Sequence, residues 1–199
     1  TDLFGLEFFK DSFFVDCDKQ RIFESLQAAV EMRSDRLFVQ IGVKDARSTV
    51  GLIMALNELK VNCNLLAIDP LPSARFAWDS LCSGIRGPCK PHFQSDFSQA
   101  VAAVSFHSPV WIFISDCPCY RCVEANLKNW VHRIVLDGFL LAHQANEKME
   151  GSRFLSHNHP DKIRCGVLRA VESTSRVMDC YAHWHQAEDG STKIWRRTR

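Results

Sequence analysis

The side chains with usable chemistry stand at a few places in the chain. Cys117-Pro118-Cys119-Tyr120-Arg121-Cys122 puts three thiols within six residues, enough for a redox pair or for zinc or iron–sulfur ligands. A fourth ligand would come from Cys165, Cys180 or a histidine. No second Cys-x-x-Cys accompanies the cluster, so it reads first as plain thiols in a strand-end loop, ahead of a metal or redox site. His157 and His159, and again His183 and His185, are two apart, a spacing that on a strand puts both imidazoles on one face. Single acids follow short apolar runs: Asp69 after Leu65-Leu66-Ala67-Ile68, Asp96 after His92-Phe93-Gln94, and Asp116 after the run ending at Ile114. His143 and Gln144 close the run from Phe139. No nucleophile-elbow, metalloprotease or phosphate-loop signature occurs.

The elements that would carry these residues alternate. Ile22, Phe23, Leu26, Ala29 and Val30 recur at helical spacing, predicting a helix to about Arg33-Ser34. Leu37–Ile41, closed by Gly42, reads as a buried strand, and Ser48 is placed to cap the helix whose face is Leu52, Ile53, Leu56 and Leu59. Strands at Leu65–Ile68, His92–Gln94, Val110–Ile114 and Phe139–Ala142 follow. Helices are predicted over Ala74–Leu81, Asp96–Val104 and Val123–Ile134, with Cys82–Pro91 as a loop. The last third predicts a helix over Asp161–Val171 and two strands, Val177–His183 and Lys193–Trp195, joined around Gly190 as a closing hairpin. Such alternation calls for a mostly parallel sheet covered on both faces, with ligands beyond the carboxyl ends of its strands. Gly42 to Ser48, Asp69, Gln94 to Asp96, Ser115 to Tyr120, and His143-Gln144 are therefore expected to meet.

At 199 residues the chain has the length of one domain: a segment 1–35, aromatic at first and then helical, packed on a core of 36–199. Its 24 Lys and Arg against 23 Asp and Glu give a net charge of +1, which argues against nucleic-acid binding by bulk charge. The Arg196-Arg197-Thr198-Arg199 end reads as solvated. The longest apolar runs are about five residues, whereas a membrane span needs roughly 20. Nine scattered cysteines, an odd count, read as mostly free thiols of a protein from an intracellular, reducing compartment. The start at Thr1, with no Met or leader-like segment, fits a processed or shortened chain.

Four of these runs, in order, resemble the class I S-adenosylmethionine-dependent methyltransferases. Val39-Gln40-Ile41-Gly42-Val43-Lys44-Asp45-Ala46-Arg47-Ser48-Thr49 resembles their first motif: acid-Ile-Gly, a spacer, two glycines and Ser-Thr. Leu66–Pro70 resembles the second. Ile112–Tyr120, with Asn126, Leu127 and Trp130, resembles the fourth-strand motif, and Asp137–Gln144 the fifth. The resemblance runs from about 36 to 145, with a weak extension over Gly166–Val171. It implies a Rossmann-like, doubly wound α/β fold with a C-terminal antiparallel hairpin strand. It also implies a cofactor crevice at Gly42, Ser48, Asp69, Asp96 and Ser115, with Asp69 on the ribose and Asp96 on the adenine amino group.

The departures from the family pattern carry the functional expectation. The acid before the first glycine is Gln40, and the two later glycines fall on Ala46 and Arg47. Ser115, Pro118 and Gln144 stand where metal-dependent members have acids and histidines, so metal-dependent chemistry is expected to be lost and no metal to be needed there. Arg47 is expected to pair with Asp45, Asp69 or Asp116 and to fill the crevice in place of a ligand. The reading that follows is a catalytically degenerate methyltransferase-like domain, a structural or interaction subunit with protein partners, binding S-adenosylmethionine weakly or not at all. Two alternatives stand beside it. One is an active, metal-free small-molecule methyltransferase with His143 or Asp116 as general base. The other is a thiol- or metal-binding protein centred on Cys117, Cys119 and Cys122.

Overall fold

A computed structural model describes residues 16–32, 36–104, 107–115, 117–156, 159–185 and 191–199. Its elements, in chain order, are α1 (Asp16–Met32), β1 (Leu37–Ile41), α2 (Arg47–Glu58), β2 (Cys63–Ile68), α3 (Pro72–Leu81), β3 (Cys89–Gln94) and α4 (Ser98–Val104). Then come β4 (Trp111–Ile114), α5 (Tyr120–Trp130), a 3₁₀ turn (Val131–Arg133), β5 (Phe139–His143), β6 (Arg153–Ser156) and β7 (His159–Arg164). The chain closes with α6 (Val167–Ser173), α7 (Ser175–Cys180), β8 (Tyr181–His185) and β9 (Thr192–Arg197).

Seven strands form one sheet in the order β3-β2-β1-β4-β5-β9-β8. β1 to β5 are parallel, and β9 runs antiparallel to both of its neighbours, β5 and β8. β6 and β7 form a separate two-stranded hairpin. Chain order reverses between β1 and β4, which is where an open parallel sheet leaves a crevice for ligand.

Strand periodicity explains the two layers. Phe38, Trp111, Phe113, Leu141 and Ile194 face Ile22 and Leu26 of α1, Leu52, Ile53 and Leu56 of α2, and Trp78 of α3. Their strand neighbours Val39, Ile112, Ile114, Leu140 and Trp195 face the opposite cluster, with Leu127 and Trp130 of α5 and Val171 of α6. Adjacent residues of one strand thus feed different cores, as a two-residue repeat requires. The runs read as continuously apolar because both faces are covered.

Four local expectations are corrected. β3 begins at Cys89, inside the predicted loop, because Cys89 to Gln94 pair with Cys63 to Ile68. Pro91 is tolerated there because β3 is an edge strand, with no second neighbour to require its missing N–H. Asp161 to Arg164 are strand, not helix; the helical pattern belongs to Val167, Leu168 and Val171, beyond Gly166. Val177 to Cys180 are helical, and strand pairing in this segment starts at Tyr181. Ser48 does not cap α2. The cap is Ala46, at φ 62°, and Ser48 lies in the first turn. The opening Phe-rich segment to residue 15, Asp116, His157, Asn158 and Gly190 lie outside the described residues.

Candidate cofactor crevice

The loop after β1 is held from beneath by β2 and β4. Gly42 (φ 92°) donates its N–H to the Ile68 carbonyl at 2.9 Å, and Ser115 Oγ donates to the Gly42 carbonyl at 2.8 Å. Lys44 (φ 54°) and Ala46 (φ 62°) are also left-handed, a conformation costing a side-chain-bearing residue roughly 1–2 kcal/mol. The Asp69 carboxylate stabilises this coil. Its Oδ2 accepts the N–H groups of Val43 (2.8 Å) and Lys44 (3.1 Å), and its Oδ1 accepts that of Leu71 (2.9 Å). A carboxylate offers about four lone-pair sites. Three are used, and Asp69 is only 2% exposed.

The predicted site residues therefore assemble in part. Gly42, Asp69 and Ser115 interlock, and β3 reaches them through the Asp69 N–H to the Gln94 carbonyl (3.2 Å). Asp96 lies two residues past that strand end, and its Oδ1 accepts the Phe97 N–H at 2.7 Å. Gln40 is fully buried and donates Nε2–H to the Gly42 carbonyl at 3.0 Å. Gln40 Oε1, Ser48 Oγ and Thr49 Oγ1 are buried without a hydrogen-bond partner.

Arg47 pairs with Asp45, as expected, but does not fill the crevice. Its Nε lies 3.5 Å from Asp45 Oδ2, but the side chain is 62% exposed and its partner 57%. The guanidinium is thus at the surface, not in the crevice. Ala46, not Arg47, takes the left-handed position before α2, so Arg47 starts a helix and projects outward.

Across the crevice His143 ends β5. Burial and the nearby Lys44 charge push its pKa down to about 3. Its Nδ1 lies 3.2 Å from Thr192 Oγ1 and 3.4 Å from Ser191 Oγ. Ser191 Oγ in turn donates to Asp18 Oδ2 at 2.7 Å. Sequence reading missed Asp18 and Ser191 altogether; they are 173 residues apart and no local pattern joins them. The order Asp–Ser–His spends the serine proton on the carboxylate, so this is no nucleophilic triad.

Beside the crevice, Cys117, Cys119 and Cys122 do converge, every sulfur within 4.8 Å of the others. Cys63, Cys82, Cys89, Cys117, Cys119, Cys122, Cys165 and Cys180 are unbridged.

Solved structures share this architecture. An O-methyltransferase family protein from Burkholderia thailandensis superposes with a TM-score of 0.60 at 12% identity, over 90% of this chain and 56% of that one. The fold is that of the class I methyltransferases. The SAH-bound methyltransferase PaMTH1 of Podospora anserina matches over 100% of this chain and 89% of its own, at TM-score 0.56 and 13% identity. The O-methyltransferase NovP matches over 90% and 79%, at TM-score 0.63 and 11% identity. No protein-family model matches the chain, and no curated protein matches it in sequence. The methyltransferase-like fold therefore survives here with little of the sequence that accompanies it elsewhere. Within the described residues, no helix is long and apolar enough to cross a membrane.

Proposed function

We propose that this methyltransferase-like domain has lost methyl transfer and serves as a structural or interaction subunit of a larger assembly. The observation that carries this reading is the Asp69 carboxylate. It already accepts three backbone N–H groups and is buried, which leaves about one lone pair where the two ribose hydroxyls would need two. His143 adds to it: a base with a pKa near 3 is a poor match to proton abstraction near neutral pH. Protein partners are supported by large apolar side chains left in solvent, among them Phe76 (76% exposed) and Phe97 (65%).

Active, metal-free methyl transfer is the second reading, favoured by Ser48 Oγ and Thr49 Oγ1. Two buried hydroxyls without partners at the start of α2 are groups that a bound ligand would satisfy. Arg47, turned to solvent, does not obstruct one. Calorimetric titration with S-adenosylmethionine and S-adenosylhomocysteine decides between the readings. The degenerate domain gives no heat of binding at millimolar ligand. Saturable binding in the low micromolar range overturns it.

A further inference from the structure

We propose that Cys117, Cys119 and Cys122 form a three-thiolate site for a thiophilic d¹⁰ cation, Zn²⁺ foremost, at the N-terminal end of α5. Three sulfurs bound to one tetrahedral zinc at about 2.3 Å are about 3.8 Å apart. These three already lie within 4.8 Å of one another, so shifts of about an ångström or less close the set.

The backbone holds them there. Cys119 caps α5 in an extended conformation (φ −71°, ψ 146°), and its sulfur accepts the Cys122 N–H at 3.3 Å. Cys122 follows in the first turn. The preceding loop is tied down by the Gly166 N–H on the Pro118 carbonyl (2.9 Å) and by an antiparallel bridge from Cys119 to Cys165. A Cβ at Gly166 would sit 2.8 Å from the Tyr120 Cβ, so only glycine allows α6 to press this close.

Exposure separates this cluster from the packing cysteines. Cys63, Cys82 and Cys89 are buried in the core as small apolar side chains. Cys119 and Cys122 instead reach the surface over a buried Cys117, which gives a cation a way in. Three thiolates and one Zn²⁺ carry a net charge of −1, which the positive end of the eleven-residue α5 stabilises. Soft sulfur ligands select zinc over magnesium or calcium. The Cys165 sulfur, 3.6 Å from the Gln144 carbonyl, stands outside the set, and the fourth position is left to water or an added ligand.

The test is titration of the reduced full chain with Co²⁺ as a spectroscopic probe, followed by displacement with Zn²⁺ against a chromogenic chelator. The expected result is one equivalent bound, a sulfur-to-cobalt charge-transfer band of three-thiolate intensity, and Zn²⁺ displacing Co²⁺. Cys117→Ser, Cys119→Ser and Cys122→Ser are each expected to weaken binding by roughly 100-fold or more, whereas Cys180→Ser leaves it unchanged. Urea midpoints measured without metal identify any variant that has merely lost its fold; Cys119→Ser and Cys122→Ser, partly exposed, are the decisive pair. Absence of the charge-transfer band overturns the site, as does equal affinity in those two variants and the wild type.

Discussion

Asp69 separates a binding carboxylate from a structural one. A ribose ligand is dispensable for folding, but an acceptor for three loop N–H groups, one buried and two part-buried, is not. Asp69→Asn keeps the volume, yet it loses the charge and turns one acceptor oxygen into a donor facing N–H groups. We expect a loss of about 2 kcal/mol, the scale of charge-assisted hydrogen bonds, read as a lower urea midpoint. An unchanged midpoint would return the residue to ligand duty. His143 makes a prediction of opposite chemistry. Its folded pKa, about 3, lies below the unfolded value of about 6.5, so the unfolded chain binds the extra proton first. Stability is therefore full above about pH 6.5 and declines as pH falls toward 3. Between pH 7 and 5 the His143 contribution to the decline is about 2 kcal/mol, and His143→Gln removes that part while leaving the smaller one of His183, whose pKa burial also lowers. Denaturation at a series of pH values checks it.

Among elements, the decisive contact is between α6 and α5. Gly166 starts α6 against the Tyr120 backbone, and Arg169 covers the Tyr120 ring with its guanidinium 4.9 Å from the centroid. Gly166→Ala brings a methyl group within 3.1 Å of Tyr120 Cα and N as well as its Cβ, and backbone cannot swing aside. The variant should lose roughly 1–3 kcal/mol, the usual cost of overpacking, measured by thermal or urea unfolding. Gly84 has open space around the same hypothetical Cβ, so Gly84→Ala is the matched control, expected to stay near the wild type.

Over the whole molecule, the first described helix is fastened to the last strand. Asp18 accepts the N–H and Oγ–H of Ser191 at 3.1 and 2.7 Å and the N–H of Thr192 at 3.2 Å. β9 lies between β5 and β8, so this clamp joins α1 to an internal strand of the sheet. Asp18→Ala leaves those donors buried or half-buried and unpaired, and should lower stability by about 2–3 kcal/mol with an unchanged urea m-value. A fall in the m-value would show instead that α1 detaches as a separate unit.

The layered α/β plan as far as β5 is legible in the sequence, because strands buried on both faces are mostly apolar (Gln40 in β1 and Asn64 in β2 are exceptions) and their helices repeat at 3.6. Leu37–Ile41 and its successors announce themselves within five residues. Gly42, Asp69 and Ser115 meet at the strand ends, as parallel strands that end together require. Tertiary structure decided the remainder. β3 is a strand because β2 lies beside it, although Lys90 and Pro91 argue locally for a loop. The β6–β7 hairpin pairs neighbouring segments and the helical turn before β8 precedes a strand held by β9; neither is announced by an apolar pattern in its own residues. The left-handed Ala46 sends Arg47 out to solvent, a choice made by backbone angle and not by charge. Residue type made Asp69 and His143 candidates for chemistry; their burial and hydrogen-bond partners, which only folding supplies, assign one to the loop and hold the other neutral.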